Sequence, residues 1–282
     1  MLAVLYRDGM RYGVSVPNIG DAATLLELGL VAEGAGWDGF FLWDHIRFSA
    51  DFPVPVFDAW VILGALASRT TRIRLGPLVT PVPRRRPWKL ARETVTLDHL
   101  SGGRVVLGVG LGFPADAEFA LLGEDPDDRV RAQKLDEGLE LLARFWSEEP
   151  FEHDGRHFRV RDGEFHPGPV QRPRIPVWVA GMWPNRAPFR RAARWDGVFP
   201  IGVDAEGSPT LIAPAALADA VAFTRSLRPD PDAPFDVVVQ GETGVPPADY
   251  ERAGATWWLL SDDGDPGWQD RVRERLADGP PR

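Results

Sequence analysis

The chain has 282 residues, a formal net charge of −9, 44% hydrophobic and 26% charged residues, and no cysteine. The apolar share is enough for the core of one large domain, and the acidic balance argues against a nucleic-acid footprint, which needs a basic surface. Without cysteine there are no disulfides, thiolate metal sites or cysteine nucleophiles, and no stretch approaches the roughly 20 apolar residues of a membrane span.

MLAVLYRDGM is too short for a secretory signal. Met10 begins the first patterned segment, so residues 1–9 read as a loose leader or as the product of an upstream start codon; one domain is expected over residues 10–278, and a cytoplasmic location is expected. From there short apolar runs alternate with amphipathic stretches. RYGVSV (Arg11–Val16) reads as a strand. Asp21 can cap a helix whose apolar face carries Leu25, Leu26, Leu28, Leu30 and Val31 and which ends near Gly34 and Gly36. Residues 38–42 (DGFFL) form a second strand, 58–68 a helix with Trp60, Val61, Leu63 and Leu66, and 73–79 (IRLGPLV) a third strand. Pro87 suits the first turn of a helix that runs to about Leu100. The turn at 101–103 leads into a fourth strand at 104–109. The longest helix, 129–147, carries Leu135, Leu139, Leu142 and Trp146 on one face. Residues 150–175 are polar and rich in proline and glycine, a hairpin or a lid. Strands follow at 176–180, 196–200, 235–240 and 256–260, with helices at 185–195, 214–227, 247–253 and around Trp268, Val272 and Leu276.

Strands alternating with helices argue for parallel pairing with the helices outside. Eight such units close a barrel more naturally than they fill an open sheet. The expected fold is thus α/β, a single (β/α)8 barrel of the TIM type with a short hairpin-like insertion after the fourth helix. A doubly wound sheet of two halves is the runner-up, disfavoured because no linker divides the chain.

In such barrels the working residues lie just past the strands. Those positions are Pro17 and Asn18; Trp43, Asp44 and His45; Thr80; Gly110, Leu111 and Gly112; Gly181, Met182 and Trp183; Ile201 and Gly202; Gly241 and Glu242; and Ser261 and Asp262. Glycines and aromatics dominate, and acids and bases are few. That suits a flat aromatic ligand better than a metal, and no metal ligands are assigned. His45 is the one histidine at such a position. A lone histidine is more often a structural hydrogen-bonding residue, but its place after a strand and beside Asp44 favours function. His153 and His157 sit in a turn-like HDGRH and read as solvent-facing hairpin residues. His99 reads as a helix C-terminal cap. Gly108, Gly110 and Gly112 superficially suggest a dinucleotide fingerprint, but Phe113 and Pro114 follow where a helix should, so that reading is rejected. Arg84, Arg85 and Arg86 read as a solvated loop or as an attractor for an anionic group.

The segment IRLGPLVTPVPRRRPWKLARETVTLDHLSGGRVVLGVGLG (73–112) resembles the signature region of the bacterial luciferase-like family, flavin- or deazaflavin-dependent oxidoreductases on a β/α barrel. RYGVSVPN, GWDGFFLWDH and IPVWVAG are similar to its first, second and cofactor-phosphate strands, and the likeness runs from Met10 to about Pro200. The resemblance implies FMN or coenzyme F420 as cofactor, which these residues do not separate. It implies that Asp44 lies near the reactive ring, with His45 as an acid/base group. Leu78 and Val79 match a bulged strand that often holds a cis peptide against the ring, and Thr80 matches a cofactor contact. Leu111 and Gly112 match backbone contacts to the cofactor, and Gly181 and Met182 match the turn that cradles its phosphate. In the family's sugar-phosphate dehydrogenases a glutamate follows the glycine of the fourth-strand turn. Phe113 stands there in this chain and points to an apolar substrate.

The expected function is a flavin- or F420-dependent oxidoreductase, a luciferase-like monooxygenase acting on a small, largely apolar organic substrate. The expected partners are that substrate, a separate source of reduced cofactor and a second copy of the chain in a homodimer, with neither nucleic acid nor membrane. An F420-dependent hydride-transfer enzyme and a non-catalytic flavin-binding protein are the alternatives. A non-redox barrel enzyme acting on a phosphorylated substrate is a weaker third.

Overall fold

A computed structural model of the chain describes residues 9–49, 51, 53–241 and 244–281. The expected leader and Glu242 lie outside the described residues, apart from Gly9. Among the described residues no helix is long and apolar enough to cross a membrane.

The parallel strands are β1 (Arg11–Val16), β2 (Gly39–Leu42), β3 (Arg74–Pro77), β4 (Thr80–Pro81), β5 (Leu107–Gly110), β8 (Val177–Met182), β9 (Gly197–Val203), β11 (Asp236–Gln240) and β12 (Trp257–Ser261). Their order is β3-β2-β1-β12-β11-β9-β8-β5-β4. A parallel bridge between Leu75 and Val105 joins the two ends of that path. Strands β3 and β4 are thus one barrel stave, interrupted at Leu78 and Val79, and the sheet closes into the expected eight-stave barrel.

Side chains alternate along each strand, and the staves are apolar on both faces. Val14, Phe40, Leu75, Val109, Val179, Val198, Val239 and Leu260 face outward into one cluster with the helices. Phe41, Leu78, Val106, Trp178, Phe199, Val238, Trp257 and Leu259 form a second, separate cluster. This is the barrel interior, filled by side chains as small barrels require. Phe41, Trp178 and Trp257 meet at ring-centroid distances of 5.3–5.9 Å. Towards the N-terminal end, the buried Asp236 accepts from Trp178 Nε1 at 3.0 Å and faces Arg11 at 3.7 Å. Burial pushes its carboxyl above the usual range, against the pull of Arg11 and Arg74.

The outer helices are α1 (Ala22–Gly34), α2 (Ala59–Ala67), α3 (Pro87–Ser101), α5 (Asp128–Trp146), α6 (Arg186–Ala192), α7 (Pro214–Arg225), α8 (Pro247–Arg252) and α9 (Trp268–Ala277). Their starts are chemically marked. Asp21, Asp58, Asp127 and Asn185 accept from first-turn amides, and Pro87, Pro214 and Pro247 occupy first-turn positions.

Residues 150–175 contain a hairpin of β6 (His153–Asp154) and β7 (Arg159–Val160). They link α5 to the start of β8, and the hairpin packs along α5 and against Trp88 at the start of α3. His153 and His157 are not solvent-facing. Their rings meet Glu137 Oε1 at 3.0 Å and Gln133 Oε1 at 3.2 Å on α5. His99 does not cap its own helix, since its Nε2 meets Gly168 O at 2.9 Å. Two features escaped the periodicity. A one-turn helix, α4 (Ala115–Glu118), follows the glycines of β5 after all. Strand β9 overruns to Val203 and folds back as β10 (Pro209–Thr210).

Candidate active site

Following the inward alternation to the strand C-termini gives the mouth: Ser15, Trp43, Gly110, Ala180, Met182, Ile201, Gln240 and Ser261, joined by Val79, which packs on the interior cluster beside Leu78. All are uncharged. Val79, Ala180 and Ile201 pack on the interior cluster and keep one side partly open, making an apolar floor. A Cβ on Gly110 would meet Val79 Cγ2 at 2.9 Å and Ala180 Cβ at 3.8 Å. The absence of a side chain there keeps the floor low. The Leu78–Val79 peptide is cis, as the resemblance implies.

One wall is aromatic. Trp43 donates from Nε1 to Ser15 Oγ at 3.2 Å and lies near-parallel to Phe48 at 6.1 Å. The His45 ring stands edge-on to both, at 5.9 and 5.0 Å. Its main chain is held by Asn18, which accepts from His45 N at 3.2 Å and donates to His45 O at 2.9 Å.

Behind the wall lies a buried charge network. Glu118, 0% exposed, reaches across from α4 to the loop after β2. Its Oε1 meets His45 Nδ1 at 2.9 Å and accepts from Ile46 N at 3.1 Å and Arg47 N at 3.2 Å. Its Oε2 accepts from Arg84 Nη1. The Arg84 side chain, 3% exposed, also donates from Nη2 to the Asp44 carbonyl and, at 3.3 Å, to Asp44 Oδ1. Asp44 Oδ2 accepts from Trp60 Nε1 at 3.1 Å and Thr80 Oγ1 at 2.7 Å. Burial pulls the Arg84 guanidinium below the usual arginine range, and Asp44 and Glu118 oppose that pull.

The expected site residues are therefore brought to one end of the barrel but differ in what they touch. His45 and Val79 reach the mouth. Leu78 belongs to the interior cluster beneath it. Asp44 and Thr80 bind each other, so their polar atoms are committed inside the protein. The carbonyls of Leu111 and Gly112 accept from Arg131 Nη1 at 3.2 and 2.7 Å. Gly181 and Met182 are not in a turn. They continue β8, paired with Pro200 and Ile201, and the turn follows at 183–185. Gly181 faces outward, where a Cβ would overlap the ring of Pro188 on α6. Arg84 is neither solvated nor free for an anionic ligand. Arg85 pairs with Glu93 and lies over Trp60 at 5.6 Å.

Glu118 is a site residue that position after a strand does not pick out. The sequence around it, FPADAEFALL, carries a second acid at Asp116 and does not mark Glu118 as the buried one.

Fold and site together define a β/α-barrel protein with an uncharged mouth and, at its wall, a partly exposed histidine held by a buried carboxylate. Residues 3–244 match the family model described as luciferase-like monooxygenase, and the chain belongs to that family. It is 34% identical over 161 residues to an F420-dependent glucose-6-phosphate dehydrogenase of Microbacterium testaceum, covering 57% of this chain and 47% of that protein. The protein of the same name from Beutenbergia cavernae is 32% identical over 269 residues, covering 91% and 76%. The chain thus spans about half the length of some curated relatives it matches and three quarters of another. Among solved structures, the coenzyme F420-dependent tetrahydromethanopterin reductase of Methanopyrus kandleri superposes with a TM-score of 0.75 at 16% identity, covering 96% and 98%. That likeness concerns the fold alone.

Proposed function

We propose that the protein is a flavin- or F420-dependent oxidoreductase of the luciferase-like monooxygenase type, acting on a small, largely apolar organic substrate. The observation that carries this reading is the floor of Val79, Gly110, Ala180 and Ile201, uncharged and kept low by a glycine, beside the partly exposed His45 ring. These residues fit a flat, tricyclic ring. The end of β8 at Gly181 and Met182, with the backbone that follows, would hold the phosphate. When bound, the cofactor supplies the electron chemistry, exchanging hydride or, as a reduced flavin, reacting with oxygen. The chain's residues bind, orient and exclude water. His45 holds or moves a proton at its ring nitrogen, help worth about 10²–10⁴-fold in rate.

Half-exposed Phe113 (51%) and Ile46 on the adjoining loops support an apolar substrate. A second reading, F420-dependent hydride transfer, is supported by the relatives' names. Phe113, in place of the glutamate of the sugar-phosphate enzymes, weighs against a sugar phosphate.

Titration of purified protein with FMN and with F420 tests the proposal. At least micromolar affinity, about 8 kcal/mol, is expected for one of them, and binding of neither refutes it. Oxygen uptake on turnover supports monooxygenation, anaerobic turnover supports hydride transfer, and cofactor binding without turnover supports a storage role.

A further inference from the structure

We infer that Glu118 is the positioning residue for His45. It fixes the neutral ring as the Nδ1–H tautomer and leaves Nε2 as the atom that exchanges protons at the barrel mouth. The inference rests on the reading of His45 as the acid/base group.

The argument is an accounting of donors. Glu118 Oε1 already accepts from the amides of Ile46 and Arg47, at 3.1 and 3.2 Å. Oε2 accepts from the Arg84 guanidinium and, at 3.4 Å, again from Ile46 N. Amides and guanidinium can only donate. A proton on Oε2 would point at the guanidinium, and a proton on Oε1, even one aimed at His45 Nδ1, would take a lone pair from its two amides beside a buried cation, so the carboxyl is ionised. An ionised carboxylate offers no hydrogen to His45 Nδ1, 2.9 Å away. The shared proton must therefore sit on Nδ1. In the neutral ring the remaining lone pair is on Nε2, on the side of the imidazole away from Glu118. Glu118 is no relay, because accepting the proton would cost it a bond to a donor that has no buried alternative. The other charged groups of the loop and its supports do not change this outcome. Arg84 and Arg85 face Asp44, and Arg47 donates from Nε to Ser49 O at 3.2 Å. By tying two successive amides of the β2 loop to α4, the same carboxylate also fixes where the ring stands against Trp43 and Phe48.

The test begins on the parent protein without cofactor, labelled with ¹⁵N-histidine. His45 is assigned by its loss in a His45→Gln variant, and its two ring nitrogens are read by long-range ¹H–¹⁵N correlation where the ring is neutral. A protonated Nδ1 and bare Nε2 are expected, the reverse of the tautomer that solvated imidazole favours. A protonated Nε2 overturns the inference, whatever the cofactor titration gives. The second arm is Glu118→Gln, which keeps the shape but carries one acceptor oxygen for donors on both sides. A mixed or reversed tautomer is expected, with kcat of the loaded enzyme falling by about 10²-fold or more and KM nearly unchanged. A variant that folds, has the reversed tautomer and turns over at the parent rate overturns the positioning role. A parent Nδ1–H tautomer in a protein that binds neither FMN nor F420 upholds the geometry and sinks the redox reading alone.

Discussion

Replacing Asp44 by asparagine separates a structural role for this residue from a ligand-binding one. The carboxylate has two committed sides. Oδ2 takes Trp60 Nε1 and Thr80 Oγ1, and Oδ1 takes Arg84 Nη2. Asparagine has the same shape but one acceptor. If its NH₂ faces Arg84, two donors confront each other. If it faces the other way, Thr80 can turn its hydroxyl to accept, but the Trp60 N–H cannot. One buried donor is lost in either orientation, and so is the charge opposite Arg84. Arg84 keeps Glu118 and the residue-44 carbonyl, so the cost is nearer that of one charged hydrogen bond, about 1.5–3 kcal/mol, than the about 3–5 kcal/mol of a fully broken buried pair. At roughly 2–4 °C per kcal/mol for a chain of this size, the melting temperature should fall by about 3–12 °C. Calorimetry on cofactor-free protein measures this directly. A melting temperature within about 1 °C of the parent, combined with weakened cofactor binding, would show that Asp44 serves the ligand and that the network is incidental.

Gly181→Val should lower stability by about 1–3 kcal/mol, because its Cβ meets the rigid ring of Pro188 and overpacks the β8–α6 contact; an unchanged urea midpoint would contradict the outward orientation of this position. His45→Ala should cut turnover by about 10²–10⁴-fold with little change in melting, and early unfolding of the variant would favour a structural role. For Glu137, burial alone would raise the carboxyl, but the His153 ring and the amides of His157 and Phe158 outweigh it and hold it below the usual range. Its contribution is therefore full above the unfolded value of about 4.3 and is lost as pH falls through the lower folded value. Amide-exchange protection at His157 and Phe158 should fall in that acid window, and Glu137→Gln should abolish the dependence.

The barrel is legible in the sequence because its cause is local. Each stave is apolar on both faces, each helix carries one apolar stripe, and aspartate, asparagine or proline marks many of the junctions. The features that differ from expectation have causes elsewhere in the chain. By apolar pattern the stave at 73–79 reads as continuous, yet it breaks at Leu78 and Val79, which only the resemblance marks as a bulge. Strand β9 lengthens past Pro200 because β8 pairs with it as far as Met182 and Ile201, and that pairing moves Gly181 and Met182 from a turn into a strand.

The site divides along the same line. Position after a strand is a local property, and it brings Asn18, Asp44, His45, Val79 and Thr80 to one end of the barrel. What each side chain binds is not local, since His45 and Glu118 are 73 residues apart. The arginines at 84, 85 and 86 look alike in sequence, yet the first two are turned inward by acids on other elements. A charge in an apolar segment has to be paired or desolvated at high cost. Glu118, fully buried between Ala117 and Phe119, therefore requires a cation and several amides, from wherever in the chain they come, and a buried Arg84 requires an acid. Matching those two demands leads from a sequence that names a histidine to a site that orients it.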